Sequence, residues 1–268
     1  MPPVVTLTTD FGPHDSFVGT MKGVILSRCR ETQIVDVTHE VPPQDVRIGA
    51  LRIAAAAPYF PPGTVHAVVV DPGVGASRRA IAVAAHSQLF VGPDNGVLTL
   101  AAPRTASDWR AVHLTNSDLW LSKVSSTFHG RDIFAPVAGF LACGGRLERA
   151  GELIESIVEL ELPAVAASEL EIMGMVIDVD RFGNLITNIR ESELDQRTVD
   201  AVEIGSVTVT DFSQTYDASM RLVVLVNSDG WLEIAAPLAS ASAILGVGIG
   251  EPVRVRLRPE AASTRGDD

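Results

Sequence analysis

The chain has 268 residues, 46% of them hydrophobic and 20% charged, enough for two cores of moderate size. Its formal charge of −12, from 21 basic and 33 acidic residues, argues against nucleic acid as a partner, which calls for a basic surface. No apolar run reaches the roughly 18 residues of a membrane span, and the start "MPPVVTLTTDFG" lacks the basic-then-apolar pattern of a signal peptide. The two cysteines, Cys29 and Cys143, stand far apart in no C-x-x-C pair, so the expectation is two free thiols in a reduced, cytoplasmic protein.

The first half alternates strand and helix patterns. "VVTLTT" (4–9) is apolar and β-branched, "SFVGTMKGVILSRC" (16–29) has helical spacing, and "QIVDV" (33–37) is again a strand. "DVRIGALRIAAAAPYF" (45–60) predicts a second helix, stopped by Pro61 and Pro62. Strand patterns follow at 64–71, 80–85 and 89–92, and "RDIFAPVAGFLACGG" (131–145) reads as a helix closed by glycines, with Pro136 as its start or a kink. The predicted class is an α/β domain over 1–160, with a largely parallel or mixed sheet. Near "LELPAVAASELE" (160–171) the helix signals fade, which marks 161–170 as a linker. Short strands at 172–180, 184–189, 206–212, 221–227, 231–235 and 252–258 predict an all-β, barrel-like domain over 171–260. A disordered tail is expected at 261–268.

Polar residues gather where these strands end, the position at which α/β folds keep ligand sites. "TTDFGPHDSF" offers Asp10 and Asp15, which would also serve a turn and a helix N-cap. "DVTHEVPPQD" carries Asp36 and His39 and reads equally well as a polar loop. In "DPGVGASRR" a tight turn brings Asp71 toward an arginine, as a structural ion pair or a functional one. "GPDNGVLT" reads as a structural turn, and a lone histidine such as His129 in "STFHGRDIFAP" is usually a surface or capping residue. In the second domain, "DRFGNLITN" and "VNSDGWLEIA" present Asp180, Asn184, Asn227 and Ser228, all competent turn residues. Phosphate-loop, dinucleotide, H-E-x-x-H and G-x-S-x-G motifs are absent.

Taken in order, "TTDFG", "MKGVI", "IVDVTHEVPPQD", "FPPGTVHAVVVDPGVG", "VGPDNGVLT", "FHGRDIFAP" and "DRFGNLITNI" resemble the S-adenosyl-L-methionine (SAM) hydroxide adenosyltransferases, or SAM hydrolases, relatives of the fluorinase and chlorinase. The resemblance spans roughly residues 4 to 258. It implies attack of water on the ribose 5′-carbon of SAM, giving adenosine and L-methionine with no cofactor and no metal. It also implies a homotrimer with its sites at subunit interfaces. Carried over by motif, Asp10 meets the ribose hydroxyls, Asp15 and Asp180 the methionine ammonium, Asn184 the adenine and Ser228 the methionine carboxylate. The catalytic set falls on Asp71, Arg78 and His129. Three departures from the halide enzymes stand out: Asp71 replaces a tyrosine, the long fluorinase insertion after the strand at 80–85 is missing, and Asp229 stands where the fluorinase has an arginine.

That chemistry is self-consistent. Water has a pKa of about 15.7, so a fixed cation such as Arg78 favours hydroxide, while His129 accepts a proton or holds the water. Asp71 orients Arg78 or the water, and the leaving thioether is neutral and needs no general acid. A carboxylate beside the nucleophile suits hydroxide and opposes a halide. The alternatives are a halide-using adenosyltransferase of the same fold, a metal-dependent hydrolase using "GPHD" or the Asp36–His39 pair, and a SAM-binding sensor without turnover.

Overall fold

The structure is a computed structural model that describes residues 2–194 and 197–258; the tail expected at 261–268 lies outside them. The chain divides into two compact units, Met1–Leu160 and Glu161–Asp268.

The first unit is built on strands β1 (Val4–Thr9), β2 (Gln33–Thr38), β3 (Val65–Val69), β4 (Ala80–Ala85), β5 (Gln88–Pro93), β6 (Arg110–His113) and β7 (Glu152–Ile154). They form one mixed sheet in the order β2-β1-β3-β5-β4-β6-β7. β2, β1, β3 and β5 run parallel, and β4, β6 and β7 add antiparallel pairs at the other side. Helices α1 (Phe17–Arg28) and α3 (Ala135–Ala142) pack on one face with Met21 and Ile25 inward, and α2 (Val46–Ala56) packs on the other through Ile48 and Ile53. Strand periodicity feeds both layers: Ala67 and Val69 of the β3 segment enter the first core, while Val68 and Val70 enter the second. Asp45 caps α2 by accepting from the Ile48 amide at 3.0 Å. The helix stops at Ala56, earlier than Pro61 and Pro62 suggest, because Pro58 tightens the chain into a 3-10 turn over Ala57–Tyr59.

The free-thiol expectation is overturned. Cys29 closes α1, Cys143 closes α3, and the two form a disulfide with Cα atoms 5.6 Å apart across a sequence separation of 114. Packing of α1 on α3 brings the ends together, which sequence spacing does not reveal. A loop of that size is worth about 4–5 kcal/mol in the chain-entropy picture. Since both helices end at the disulfide, both begin at the opposite edge.

The second unit contains β8 (Ala166–Ala167), β9 (Glu171–Val179), β10 (Leu185–Arg190), α4 (Glu191–Leu194), β11 (Val199–Ile204), β12 (Val207–Val209), β13 (Val223–Val226), β14 (Trp231–Ala235), α5 (Ala241–Leu245) and β15 (Pro252–Leu257). Its strands pair antiparallel along β12-β11-β15-β9-β10-β14-β13, with β8 on β9. After β12 the chain bridges Phe212 to Val224 of β13, drawing the two ends of the path together into a nearly closed barrel. β8 lies within the expected linker. Among the described residues no helix is long and apolar enough to cross a membrane.

A buried histidine offers a test of the first core. His66 is fully buried on β3, bonded through Nδ1 to Thr6 Oγ1 of β1 at 2.7 Å and stacked on Phe90 at 4.8 Å. Burial pushes its pKa down to about 4. The unfolded ring titrates near 6.5, so His66 contributes stability above that value which is lost as pH falls through 4, roughly 3 kcal/mol in all. Chemical denaturation between pH 7 and pH 4 should show this loss, and His66→Gln should flatten it; an unchanged slope would assign the proton to another group.

Candidate active site

Parallel pairing of β1 with β3 fixes the first half of the site. Both strands end at the same sheet edge, so the residues just beyond them, Asp10 and Asp71, are carried to one place. They line a cavity of about 370 Å³ together with Phe11, Phe17, Gln44 and His129. Phe11, Phe17 and Phe128 form an aromatic wall with ring centroids 5.2–5.8 Å apart. Asp10 is held by the Gln44 amide at 2.8 Å.

Arg78 ties this edge together. Its Nε donates to Asp71 Oδ1 at 2.9 Å, its Nη2 donates to Asp71 Oδ2, and Nη2 also donates to His129 Nδ1 at 2.8 Å. Arg79 pairs instead with Asp94, whose other oxygen accepts the Val158 amide at 2.7 Å, so that pair is structural. The side chains of Asp71 and Arg78 are only 5% and 11% exposed. Arg78 bridges these two groups without being among the residues that line the cavity. Burial and the Arg78 charge hold the His129 imidazole below its ordinary pKa, so it is neutral at pH 7. A guanidinium only donates; Nδ1 therefore accepts, and the ring proton sits on Nε2.

The loop that carries Arg78 needs Gly75. Its φ is +77°, and a Cβ there would stand 2.2 Å from the Ser126 carbonyl oxygen of the His129 loop. Asp15 is exposed ahead of α1 and outside the cavity lining, and Ser16 occupies the N-cap without a side-chain bond. Asp36 and His39 are taken up in a chain with Lys22 at 2.6 Å and Thr9 at 2.9 Å. Among the described residues no group of three or more His, Cys, Asp or Glu side chains is placed to hold a metal ion.

In the second unit, Asp180 accepts from the Phe182 and Asn184 amides at 2.9 and 2.8 Å and from Asn184 Nδ2 at 2.9 Å. Gly183 closes that turn at φ +84°, with Ser240 Oγ 2.0 Å from where a Cβ would be. Asp180, Phe182, Asn184, Tyr216 and Leu238 line a cavity of about 590 Å³, and Phe182 and Leu238 are 76% and 97% exposed. Ser228 sits exposed at the tip of the turn that Asn227 caps, outside that lining.

Family models for the N-terminal and C-terminal domains of SAM hydroxide adenosyltransferase match residues 5–151 and 174–254. The chain belongs to this family. It is 43% identical to an (R)-S-adenosyl-L-methionine hydrolase of Salinispora tropica, over 94% of this chain and 97% of that one. It is 34% identical to the hydrolase of the same name from Methanocaldococcus jannaschii, over 91% and 92%. A fluorinase of Actinopolyspora mzabensis is more distant, at 27% over 94% and 97%. Among solved structures, an uncharacterized conserved protein from Thermotoga maritima superposes with a TM-score of 0.85 at 38% identity, covering 94% of this chain and 99% of that one.

Three groups around this SAM hydroxide adenosyltransferase's sites escape sequence reading. Arg190, at the end of β10, stacks on Trp231 and donates to the Asp229 carbonyl at 3.2 Å, which sets a cation beside the Ser228 turn. Glu233 of β14, 2% exposed, accepts from Tyr216 at 2.9 Å and Asn227 at 3.2 Å; burial raises its carboxyl, and burial with Glu233 pushes Tyr216 up to about 12. Phe134 lies under Arg78, its centroid 5.3 Å from the guanidinium carbon. In sequence these are an arginine and a glutamate in strands and one more apolar residue in a helix.

Gly75→Ala tests whether the two loops must touch. The clash parts Arg78 from His129 while leaving the Asp10 side of the cavity alone. The expected result is a turnover loss of about 10²-fold with little change in KM, since misplacement on the ångström scale costs that much. Unchanged turnover would show that the bridge to His129 is dispensable.

Proposed function

We propose that the protein hydrolyses SAM to adenosine and L-methionine by in-line attack of water on the ribose 5′-carbon, and that Asp71 and His129 flank the attacking water. The observation that carries this reading is the Asp71–Arg78–His129 bridge at the cavity edge. His129 Nε2–H donates to the water oxygen and fixes its position. Asp71, its oxygens already aligned by Arg78, takes the water's proton through a remaining lone pair as the bond to carbon forms. The carbon–sulfur bond breaks with its electron pair moving to sulfur; the sulfonium becomes a neutral thioether, and the proton passes from Asp71 to solvent. Arg78 acts as a positioning residue, one step behind the reacting atoms.

Substrate recognition is assigned as follows. Asp10 holds the ribose hydroxyls, Asp15 and Asp180 the ammonium, and Asn184 the adenine. Ser228 meets the methionine carboxylate, with Arg190 supplying the cation that Asp229 cannot. The assembly is a homotrimer, with each substrate site shared between neighbouring subunits. The reaction needs neither cofactor nor metal, and its compartment is the cytoplasm, where a charged metabolite such as SAM is retained; the Cys29–Cys143 disulfide is at odds with the reduced thiols expected there.

Pure, chelator-treated protein should convert SAM in heavy-oxygen water to adenosine labelled at the 5′ oxygen plus methionine, with or without chloride. Asp71→Asn keeps the shape but cannot accept the proton, so turnover should fall by about 10²–10⁴-fold while SAM still binds. Chloroadenosine as the product would move the protein to the halide-using branch. Loss of activity on chelation would favour a metal-dependent hydrolase, and bound SAM without product would leave a sensor.

A further inference from the structure

The helix that presents His129 opens on one α-type bond, the Asp132 amide donating to the Phe128 carbonyl at 3.1 Å, and then widens. Gly130–Phe134 form a π-turn, closed by the Ala135 amide donating to the Gly130 carbonyl, and α3 begins only at Ala135. Pro136 supplies the cause. It has no N–H for the Asp132 carbonyl four residues back, and its ring crowds that oxygen. The freed carbonyl accepts from the Leu121 amide at 2.9 Å instead.

Widening the turn changes which side chains share a face. In a regular α-helix, positions five apart point about 140° away from each other. Here His129 and Phe134 both reach Arg78, His129 by the 2.8 Å bond and Phe134 by its ring face. The N–H groups of the guanidinium are used by Asp71, His129 and, at 3.5 Å, the Arg79 carbonyl, while its carbon stands over the Phe134 ring, 5.3 Å from the centroid. Phe134 is fully buried in the core between the sheet and helices α1 and α3. A cation over a desolvated ring is held more strongly than one at the surface.

We propose that Phe134, brought round by the Pro136-induced π-turn, is a positioning residue that holds the Arg78 guanidinium over its ring so that it grips Asp71 and His129 at once. For its catalytic consequence this inference rests on the hydrolysis proposed above; its structural content does not. The charged groups facing His129 are Arg78 and Asp71 from the loop after β3 and Asp132 from its own turn, with Asp10 lining the same cavity.

Phe134→Leu removes the ring and keeps an apolar filler. The control is Phe90→Leu, an equally buried ring of the same unit that stacks on His66 instead. Two readouts are taken: the NMR titration of the His129 imidazole in the ligand-free protein, and kcat and KM for SAM. With Arg78 loosened, the His129 midpoint should move up toward the ordinary imidazole value. Turnover should drop roughly fivefold with KM within about twofold. Phe90→Leu should lose thermal stability without either change. Pro136→Ala should shift the His129 midpoint in the same direction, and it carries the test if Phe134→Leu does not fold. A His129 titration in Phe134→Leu and Pro136→Ala that matches Phe90→Leu would overturn the inference. Absence of turnover in the wild type would sink the proposed function instead, and the titration would still decide this one.

Discussion

A carboxylate and a guanidinium, both nearly out of water, meet at the edge of a parallel sheet, and the architecture of the first unit follows from keeping them together. Burying either alone would cost several kcal/mol; paired through two hydrogen bonds they satisfy one another and present no net charge. The remaining Nη2 proton of Arg78 is what brings His129 into the group. One cation thereby sets the direction of a carboxylate and the tautomer of an imidazole.

The surrounding scaffold is arranged for that contact. β1 and β3 deliver Asp10 and Asp71 to one edge, Gly75 lets the Arg78 loop approach the His129 loop, and the π-turn ahead of α3 aims His129 inward. At the far end the Cys29–Cys143 disulfide locks α1 to α3, so the helices whose opposite ends carry Phe17 and His129 share one rigid reference. The second unit follows another logic. Its Asp180 turn is self-satisfied by Asn184 and backbone amides, and its exposed Phe182 and Leu238 suit a flat, apolar ligand face.

Much of this was legible in the sequence, and for physical reasons. The β-branched runs of β1 and β3 show their strands because both faces are buried. β6, β7 and β11 carry too little pattern to read as strands: the first two are short and carry charged ends, and "VDAVEI" mixes acids into its pattern. The spacing of Asp71 and Arg78 made their contact foreseeable, since a glycine-rich turn closes on itself. His129 comes from 51 residues further along, and only resemblance to the family linked it to them. The cysteine pairing, Arg190 at the Ser228 turn and Phe134 beneath Arg78 are products of tertiary packing, which one-dimensional spacing does not encode.

The central claim is that Asp71 and His129 act as one unit through Arg78. A double-mutant cycle on single-turnover rates, with Asp71→Asn, His129→Ala and the double variant, measures that coupling directly. The account predicts strong non-additivity, with the double variant about as fast as the slower single one. Losses that simply multiply would show two independent groups and contradict it.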